Sequence, residues 1–282
     1  MKVIEKAPAK INLGYDIVDL RDDGYHNVET IMASVDLADR LQFYSRDDER
    51  IEIETDNCFL PLDKRNHIYQ AVEQIRAYCG IQQGVHIQLK KCIPVAAGLA
   101  GGSSDAAATL RALNQLWRLH LTDEELLHLA AQIGSDVPYC LHGGTAYAKG
   151  RGDEIERIPA IPSCWVVLVK PRVSISTPKI FSEIEHYQLP HPPILQLKAA
   201  IERCDYEAMC QYMDNALEVI TMDKCSKIAN IKQCMQKMAA DAVVMSGSGP
   251  TMIALCQQYR KAQRIVNGLK GFCDEVYLVR ML

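Results

Sequence analysis

The residues best suited to chemistry in this chain lie in a few short segments. The richest is Pro94-Val95-Ala96-Ala97-Gly98-Leu99-Ala100-Gly101-Gly102-Ser103-Ser104-Asp105-Ala106-Ala107. Glycines let a backbone approach a bulky anion and turn its N–H groups toward it. A helix opening at the serines would add the partial positive charge of its N-terminus, and the hydroxyls would add donors. Together these make a phosphate cradle. The plainer reading is a tight strand-to-helix turn with a serine cap. The segment is not a Walker A loop, because no lysine stands where G-x-x-x-x-G-K-[ST] needs one. Nor is it the dinucleotide fingerprint G-x-G-x-x-G.

Four further segments carry polar residues in suggestive settings. In Gly134-Ser135-Asp136-Val137-Pro138, Asp136 can serve as a general base that lifts a proton from a hydroxyl. The same spacing suits a helix N-cap with Pro138 in the first turn, and on spacing alone that role is the better fit. Lys10, in Ala7-Pro8-Ala9-Lys10-Ile11-Asn12, is by default a solvated lysine. Its apolar neighbours suggest burial, where an ammonium wants a partner. An acid such as Asp136 would be held ionised by it. Ser246-Gly247-Ser248-Gly249-Pro250-Thr251 reads either as a second loop of backbone donors or as a hairpin connection. Gly24-Tyr25-His26 offers rings that can stack on an aromatic base, or is a turn leading into a strand.

Elements must hold these segments in place. The pattern predicts strands over Lys2–Ala7 and Ile11–Val18, separated at Pro8, with a turn at Arg21-Asp22-Asp23-Gly24. Strands are also expected over Val35–Tyr44, Ile51–Thr55 and Gly84–Lys90, with a helix over Ile68–Cys79. The glycine-rich loop opens into a helix capped by Ser103 or Ser104, with Asp105 favouring its positive end. Ala106, Leu110, Leu113 and Trp117 give that helix an apolar face. A second helix begins at the capping box Thr122-Asp123-Glu124-Glu125 and stops at Gly134. Pro159 and Pro162 suggest a boundary, so that 1–158 and 159–282 form two domains. Beyond it the pattern gives a strand at Cys164–Lys170, helices across Ile194–Ala240, strands at Ala242–Met245 and Met252–Cys256, a helix at Arg260–Leu269 and a strand at Glu275–Arg280. That order is a split βαβ, ferredoxin-like layer, so the expected class is α+β.

Composition narrows the function. The chain has 282 residues, 31 Lys+Arg against 35 Asp+Glu, a net charge of −4 and 48% hydrophobic residues. It is too apolar and too nearly neutral to be disordered, and it lacks the basic excess of a protein that grips nucleic acid by its general field. Anions must be held locally. The 11 Cys include no C-x-x-C pair, which points to free thiols in a reducing cytoplasm rather than to zinc or disulfides. No apolar run reaches membrane length, and the N-terminal segment lacks the apolar stretch of a signal peptide. Neither a membrane nor a nucleic acid is an expected partner.

Taken in this order, Ala7–Asn12, Asp23–His26, Gly98–Ala107, Gly134–Pro138 and Ser246–Thr251 resemble the GHMP kinases over essentially the whole chain. The resemblance implies an N-terminal ribosomal-protein-S5-domain-2-like α/β domain and a C-terminal ferredoxin-like domain. It implies ATP as co-substrate, with Mg²⁺, and phosphoryl transfer to an alcohol. By the same resemblance Lys10 and Asp136 are the catalytic pair. Pro94, Val95, Ala96, Ala97, Gly98, Leu99, Ala100, Gly101, Gly102, Ser103 and Ser104 bind ATP. Gly247, Ser248 and Gly249 lie near the phosphates. The long Gly-Leu-Ala-Gly-Gly-Ser-Ser-Asp loop is similar to the branch whose small-molecule substrate carries a cytidine diphosphate, in the non-mevalonate route to isoprenoids. Asn12, Tyr25, His26, Thr177 and Phe181 then line the substrate side, with Tyr25 and Phe181 flanking the cytosine. No metal ligand is assigned, and either a monomer or a homodimer fits. A GHMP kinase for another small alcohol and a non-catalytic nucleotide-binding relative are the alternatives. A Rossmann oxidoreductase lacks its fingerprint here.

Overall fold

A turn just after Leu20 folds the start of the chain into a long hairpin of β1 (Lys2–Leu20) and β2 (His26–Arg46). Arg21 N donates to Tyr25 O at 2.7 Å and Gly24 N to Arg21 O at 3.0 Å. Gly24 takes φ +80°, which a side chain would resist. The computed structural model describes residues 2–282. β1 is continuous, not the expected two strands parted at Pro8. Of the named strands it pairs with β2, and Tyr15 adds an isolated parallel bridge to Asn215; proline is tolerated in such an edge strand, where fewer backbone N–H groups are needed for the ladder.

The chain continues through β3 (Ile51–Thr55), α1 (His67–Cys79), β4 (Gly84–Lys90), α2 (Gly101–Leu116), α3 (Asp123–Ile133), α4 (Val137–His142), β5 (Thr145–Lys149) and β6 (Glu154–Arg157). It then forms β7 (Trp165–Lys170), α5 (Thr177–Phe181), α6 (Ile194–Glu202), α7 (Tyr206–Tyr212), α8 (Glu218–Lys224), α9 (Ser226–Lys237), β8 (Ala242–Met245), β9 (Met252–Cys256), α10 (Tyr259–Leu269) and β10 (Glu275–Arg280).

By packing, the chain divides into two compact units. One comprises the chain up to Ala9 with Leu37–Val95 and Ala100–Gly143; the other comprises Lys10–Asp36, Ala96–Leu99 and Gly144–Leu282. This division differs from a single cut after residue 158, because β1 and β2 each run through both units.

In the first unit, Arg40–Arg46 of β2 pair antiparallel with Gly84–Lys90 of β4, and β3 joins β4 in parallel. Helices α1 and α2 pack on each other. The predicted face of α2 is buried: Ala106, Leu110 and Leu113 are fully enclosed, and Trp117 follows as its C-cap. The capping box of α3 forms as expected. Glu125 N donates to Thr122 Oγ1, and Thr122 N donates to Glu125 Oε2 at 2.8 Å.

In the second unit, Thr30–Ala33 of β2 pair antiparallel with β5, and β5 with β6. A separate antiparallel sheet runs in the order β10-β7-β9-β8. Placing the last strand beside the first is the split βαβ arrangement read from the element order. Its core gathers Val167, Val169, Ile220, Ile231, Ala254 and Ile265. All eleven cysteines are free thiols. Among the described residues no helix is long and apolar enough to cross a membrane.

Thr122→Ala removes the cap acceptor and should lower the free energy of unfolding by about 1 kcal/mol. A urea titration reads this as a lower midpoint at unchanged slope.

Candidate active site

The glycine-rich segment is a strained strand-to-helix connection. Ala96 (φ +51°), Gly98 (φ +73°) and Ala100 (φ +53°) are all left-handed. For the two alanines this costs on the order of 1 kcal/mol each, which the surrounding contacts must offset. Ala100 is the N-cap of α2 and offers no side-chain cap, so neither Ser103 nor Ser104 caps the helix as expected. Both lie inside it. Ser104 is buried and its hydroxyl donates to Pro8 O at 2.7 Å. The first N–H groups of α2 therefore lack a side-chain cap, as an anion-binding terminus requires. Val95, Ala96 and Gly102 are exposed, whereas Pro94, Ala97 and Leu99 are buried.

Asp105 corrects a second expectation. It does not sit at the helix end as a free carboxylate; it is buried beside Lys91 and Asp39. Asp39 accepts from Cys92 N (2.5 Å), Ile93 N (2.8 Å) and the Lys91 ammonium. Lys91 Nζ also donates to Asp105 Oδ2 at 2.8 Å. Residues 91–93, which lead into the loop, are thus tied to Asp105, which follows it. Burial alone would lower the Lys91 pKa, but the two carboxylates hold it above its ordinary value. Two buried acids share one cation, and burial, aided by Asp39 and opposed by Lys91, pushes Asp105 up to about 8. Beside this cluster the His67 ring lies against Gly102, where a Cβ would stand 3.3 Å from Nδ1. Burial lowers the His67 pKa, so the ring is neutral at neutral pH.

Asp136 is half-buried at the N-cap of α4, with Pro138 in the first turn as the spacing suggests. Its side chain makes no capping hydrogen bond to the helix.

In the second unit, Lys10 is 5% exposed, not solvated. Its Nζ donates to Asn12 Oδ1 at 2.8 Å. Asn12 Nδ2 donates to Thr30 Oγ1 at 2.8 Å, and that hydroxyl donates to Gly14 O at 2.7 Å. These contacts orient the Asn12 amide with its oxygen toward Lys10. Asn12 N donates to Ser246 Oγ (3.2 Å), which donates to Gly98 O (3.0 Å). Lys10 N donates to Leu99 O at 3.1 Å. A Cβ on Gly98 would lie 2.6 Å from Ser246 O, so only glycine fits. Lys10, Asn12, Gly98 and the Ser246–Thr251 turn therefore form one group, although they are far apart in sequence.

The turn between β8 and β9 is buried throughout. Ser248 Oγ and Thr177 Oγ1 are hydrogen-bonded at 2.7 Å. Thr177, exposed, begins α5 and Phe181 ends it. The ring meeting Phe181 is His26, at 5.6 Å between centroids. Tyr25, 55% exposed, instead stacks with the Arg151 guanidinium at 4.0 Å. Arg151, Thr30 and the Asp39–Lys91 pair carry no motif and escaped the sequence reading.

A glycine-rich turn leading into a helix without a side-chain cap offers backbone N–H groups suited to an anion. The family model "GHMP kinases N terminal domain" matches residues 66–144, and "GHMP kinases C terminal" matches 197–275. The 4-diphosphocytidyl-2-C-methyl-D-erythritol kinase of Enterococcus faecalis is 57% identical over 282 residues, covering 100% of both chains. The Bacillus subtilis protein of that name is 49% identical, covering 100% of this chain and 98% of its own. A solved 4-(cytidine 5'-diphospho)-2C-methyl-D-erythritol kinase superposes with a TM-score of 0.83 at 29% identity, covering 99% of each chain. The chain belongs to the GHMP kinases, with their two-domain fold, and within them to the family of these cytidine-diphosphate-linked methylerythritol kinases.

The Asp105 pKa has a stability consequence. A carboxyl whose folded pKa is raised binds its proton more tightly folded than unfolded. That contribution is complete below the unfolded value of 3.8 and is lost as pH rises toward about 8. Asp105→Asn keeps the shape and removes the titration. Urea unfolding between pH 5 and pH 8, in steps of about one unit, should show a smaller fall in stability with pH for the variant than for the parent. Equal slopes would remove Asp105 as the titrating group.

Proposed function

We propose that the chain transfers the γ-phosphoryl group of ATP to the 2-hydroxyl of 4-diphosphocytidyl-2-C-methyl-D-erythritol, giving the 2-phosphate and ADP. The observation that carries this reading is similarity to kinases of that name along the entire chain, 57% identical in one case. The reaction belongs to the non-mevalonate route to isoprenoid precursors.

Phosphoryl transfer demands in-line positioning and charge stabilisation more than covalent chemistry. Asp136, at the start of α4, accepts the hydroxyl proton. Lys10, oriented by Asn12, supplies positive charge to the reacting group. The backbone from Pro94 to Ser104 and the start of α2 receive the ATP phosphates. Gly247, Ser248 and Gly249 approach the transferring phosphoryl. Asn12, Tyr25, His26, Thr177 and Phe181 contact the acceptor, whose cytosine lies between aromatic rings.

Among the described residues no group of three or more His, Cys, Asp or Glu can hold a metal ion. The buried carboxylates nearest the loop, Asp39 and Asp105, are already engaged by Lys91. The donor set does not fit a resident metal cage. Mg²⁺ would come with ATP as its counter-ion and would supply charge neutralisation for the phosphates. The enzyme works in the cytoplasm, as a monomer or homodimer, on a small molecule rather than on nucleic acid or membrane. Segments 1–158 and 159–282 serve as its N- and C-terminal domains.

Purified protein, ATP and the cytidine-diphosphate substrate should yield ADP and a new monoester phosphate, read by phosphorus NMR. Homoserine and mevalonate should yield none. Asp136→Asn should cut kcat by about a hundredfold or more while the urea midpoint holds. Turnover near the parent's would remove Asp136 as the base.

A further inference from the structure

The Ser246–Thr251 turn is held from outside by three buried polar side chains that no motif reading singled out. Asn215 (1% exposed) donates from Nδ2 to Met245 O and Gly247 O, both at 2.7 Å. Its Oδ1 accepts from Leu217 N at 2.8 Å, so the amide is pinned at both ends. Glu218 (6% exposed) accepts from Met245 N at 2.7 Å through Oε1, and from the Lys232 ammonium through Oε2. Thr221 (fully buried) donates to Ser248 O at 3.3 Å.

In a trans peptide the C=O and the following N–H point in opposite directions. Pulling Gly247 O toward Asn215 therefore aims Ser248 N–H away from Asn215. Among the described residues that N–H has no hydrogen-bond acceptor, and neither has Gly247 N–H. An unpaired N–H in a buried turn costs free energy comparable to a lost hydrogen bond unless something arrives to accept it. The turn's other contacts belong to the catalytic group. A Cβ on Gly247 would stand 3.3 Å from Asn12 Oδ1, the atom that accepts from Lys10. Ser248 Oγ meets Thr177, and Ser246 Oγ meets Asn12 N. A Cβ on Gly249 would stand 2.6 Å from Met245 Sδ and 3.3 Å from Thr221 Cγ2, so the turn is seated closely on α8.

We infer that Asn215, Glu218 and Thr221 are positioning residues for phosphoryl transfer: Asn215 sets the Gly247–Ser248 peptide plane, Thr221 sets the Ser248–Gly249 plane whose N–H holds Ser246 O at 2.9 Å, and Glu218 anchors Met245 N, so that the N–H groups of Gly247 and Ser248 are presented, preorganised, to the oxygens of the transferring phosphoryl group. Donors fixed in advance need no reorganisation when charge redistributes in the transition state, and removing one such donor elsewhere costs about a hundred- to a thousandfold in kcat. The inference rests on the phosphoryl-transfer reading above for its substrate, but the aim of the N–H groups is testable without the alcohol.

Thr221→Val keeps the volume and deletes the hydroxyl that holds Ser248 O, and Thr221→Ser restores it. Asn215→Asp keeps the shape and deletes both Nδ2 donors. Parent and variants are compared for urea midpoint, for kcat and KM with ATP and the cytidine-diphosphate substrate, and for the Ser248 amide ¹⁵N–¹H resonance on adding ADP with aluminium fluoride. We expect Thr221→Val to lose about tenfold in kcat with each KM within about twofold, Thr221→Ser to recover most of that loss, and Asn215→Asp to lose about a hundredfold. In the parent the Ser248 resonance should shift strongly on addition; in Thr221→Val the shift should shrink. A folded Thr221→Val with parent-like kcat and parent-like resonance shift overturns the inference. So does a change confined to KM. If Asn215→Asp fails to fold, the threonine pair decides. A parent that leaves the cytidine-diphosphate substrate unphosphorylated sinks the substrate assignment; the resonance comparison then still decides the positioning claim.

Discussion

The site depends on one close approach, that of Gly98 to the Ser246–Thr251 turn. A single added carbon at Gly98 would collide with Ser246 O at 2.6 Å and crowd Gly249 O at 3.0 Å. Through that gap the Ser246 hydroxyl reaches Gly98 O and accepts from Asn12 N, while Lys10 N reaches Leu99 O. Two glycine-rich turns and the strand bearing the lysine are thereby fixed against one another by backbone and one hydroxyl. Glycine is required here for space as much as for its φ of +73°. The left-handed alanines on either side show that the segment is held in shape by its contacts and not by its own preference.

The charges follow from that design. The chain's net charge is −4, and no lysine or arginine occurs between Pro94 and Asp105. The nearest cation in sequence, Lys91, is taken up by Asp39 and Asp105 and serves to tie the ends of the loop. On the proposed reading, anion binding falls to N–H groups and a helix terminus, which act at short range. A slightly acidic protein can therefore handle a polyphosphate without a basic surface. The same logic appears at the second turn, where Asn215, Glu218 and Thr221 engage the backbone from behind.

Much of this was legible in the sequence, because the strongest signals there are local. The capping box at Thr122, the strands ending at Met245 and starting at Met252, and the split βαβ order all depend on short-range rules, and the structure has them where they were expected. Lys10 was flagged correctly as a charge in apolar company. The errors came where a distant partner overrides a local preference. Ser103 and Ser104 look like caps, but Ala100 takes the cap position and Ser104 turns to Pro8. Asp105 looks like a helix-terminus acid, but Lys91 and Asp39 draw it inward. Pro8 looks like a strand break, but the strand runs along a sheet edge. The packing units are a separate matter from the sequence boundary at residue 158: they cut across β1 and β2, whereas composition shifts mark only breaks between segments. Asn215 and Thr221 carry no motif because they act on backbone carbonyls brought near by the fold.

The central claim is that backbone groups, not basic side chains, hold the phosphates of ATP. The most direct measurement is a crystal structure of the protein with a non-hydrolysable ATP analogue. The account predicts phosphate oxygens within hydrogen-bond reach, about 3 Å, of main-chain N–H groups between Gly98 and Ser104. Phosphates clasped by lysine or arginine side chains, with the N–H groups of that segment pointing elsewhere, would contradict it.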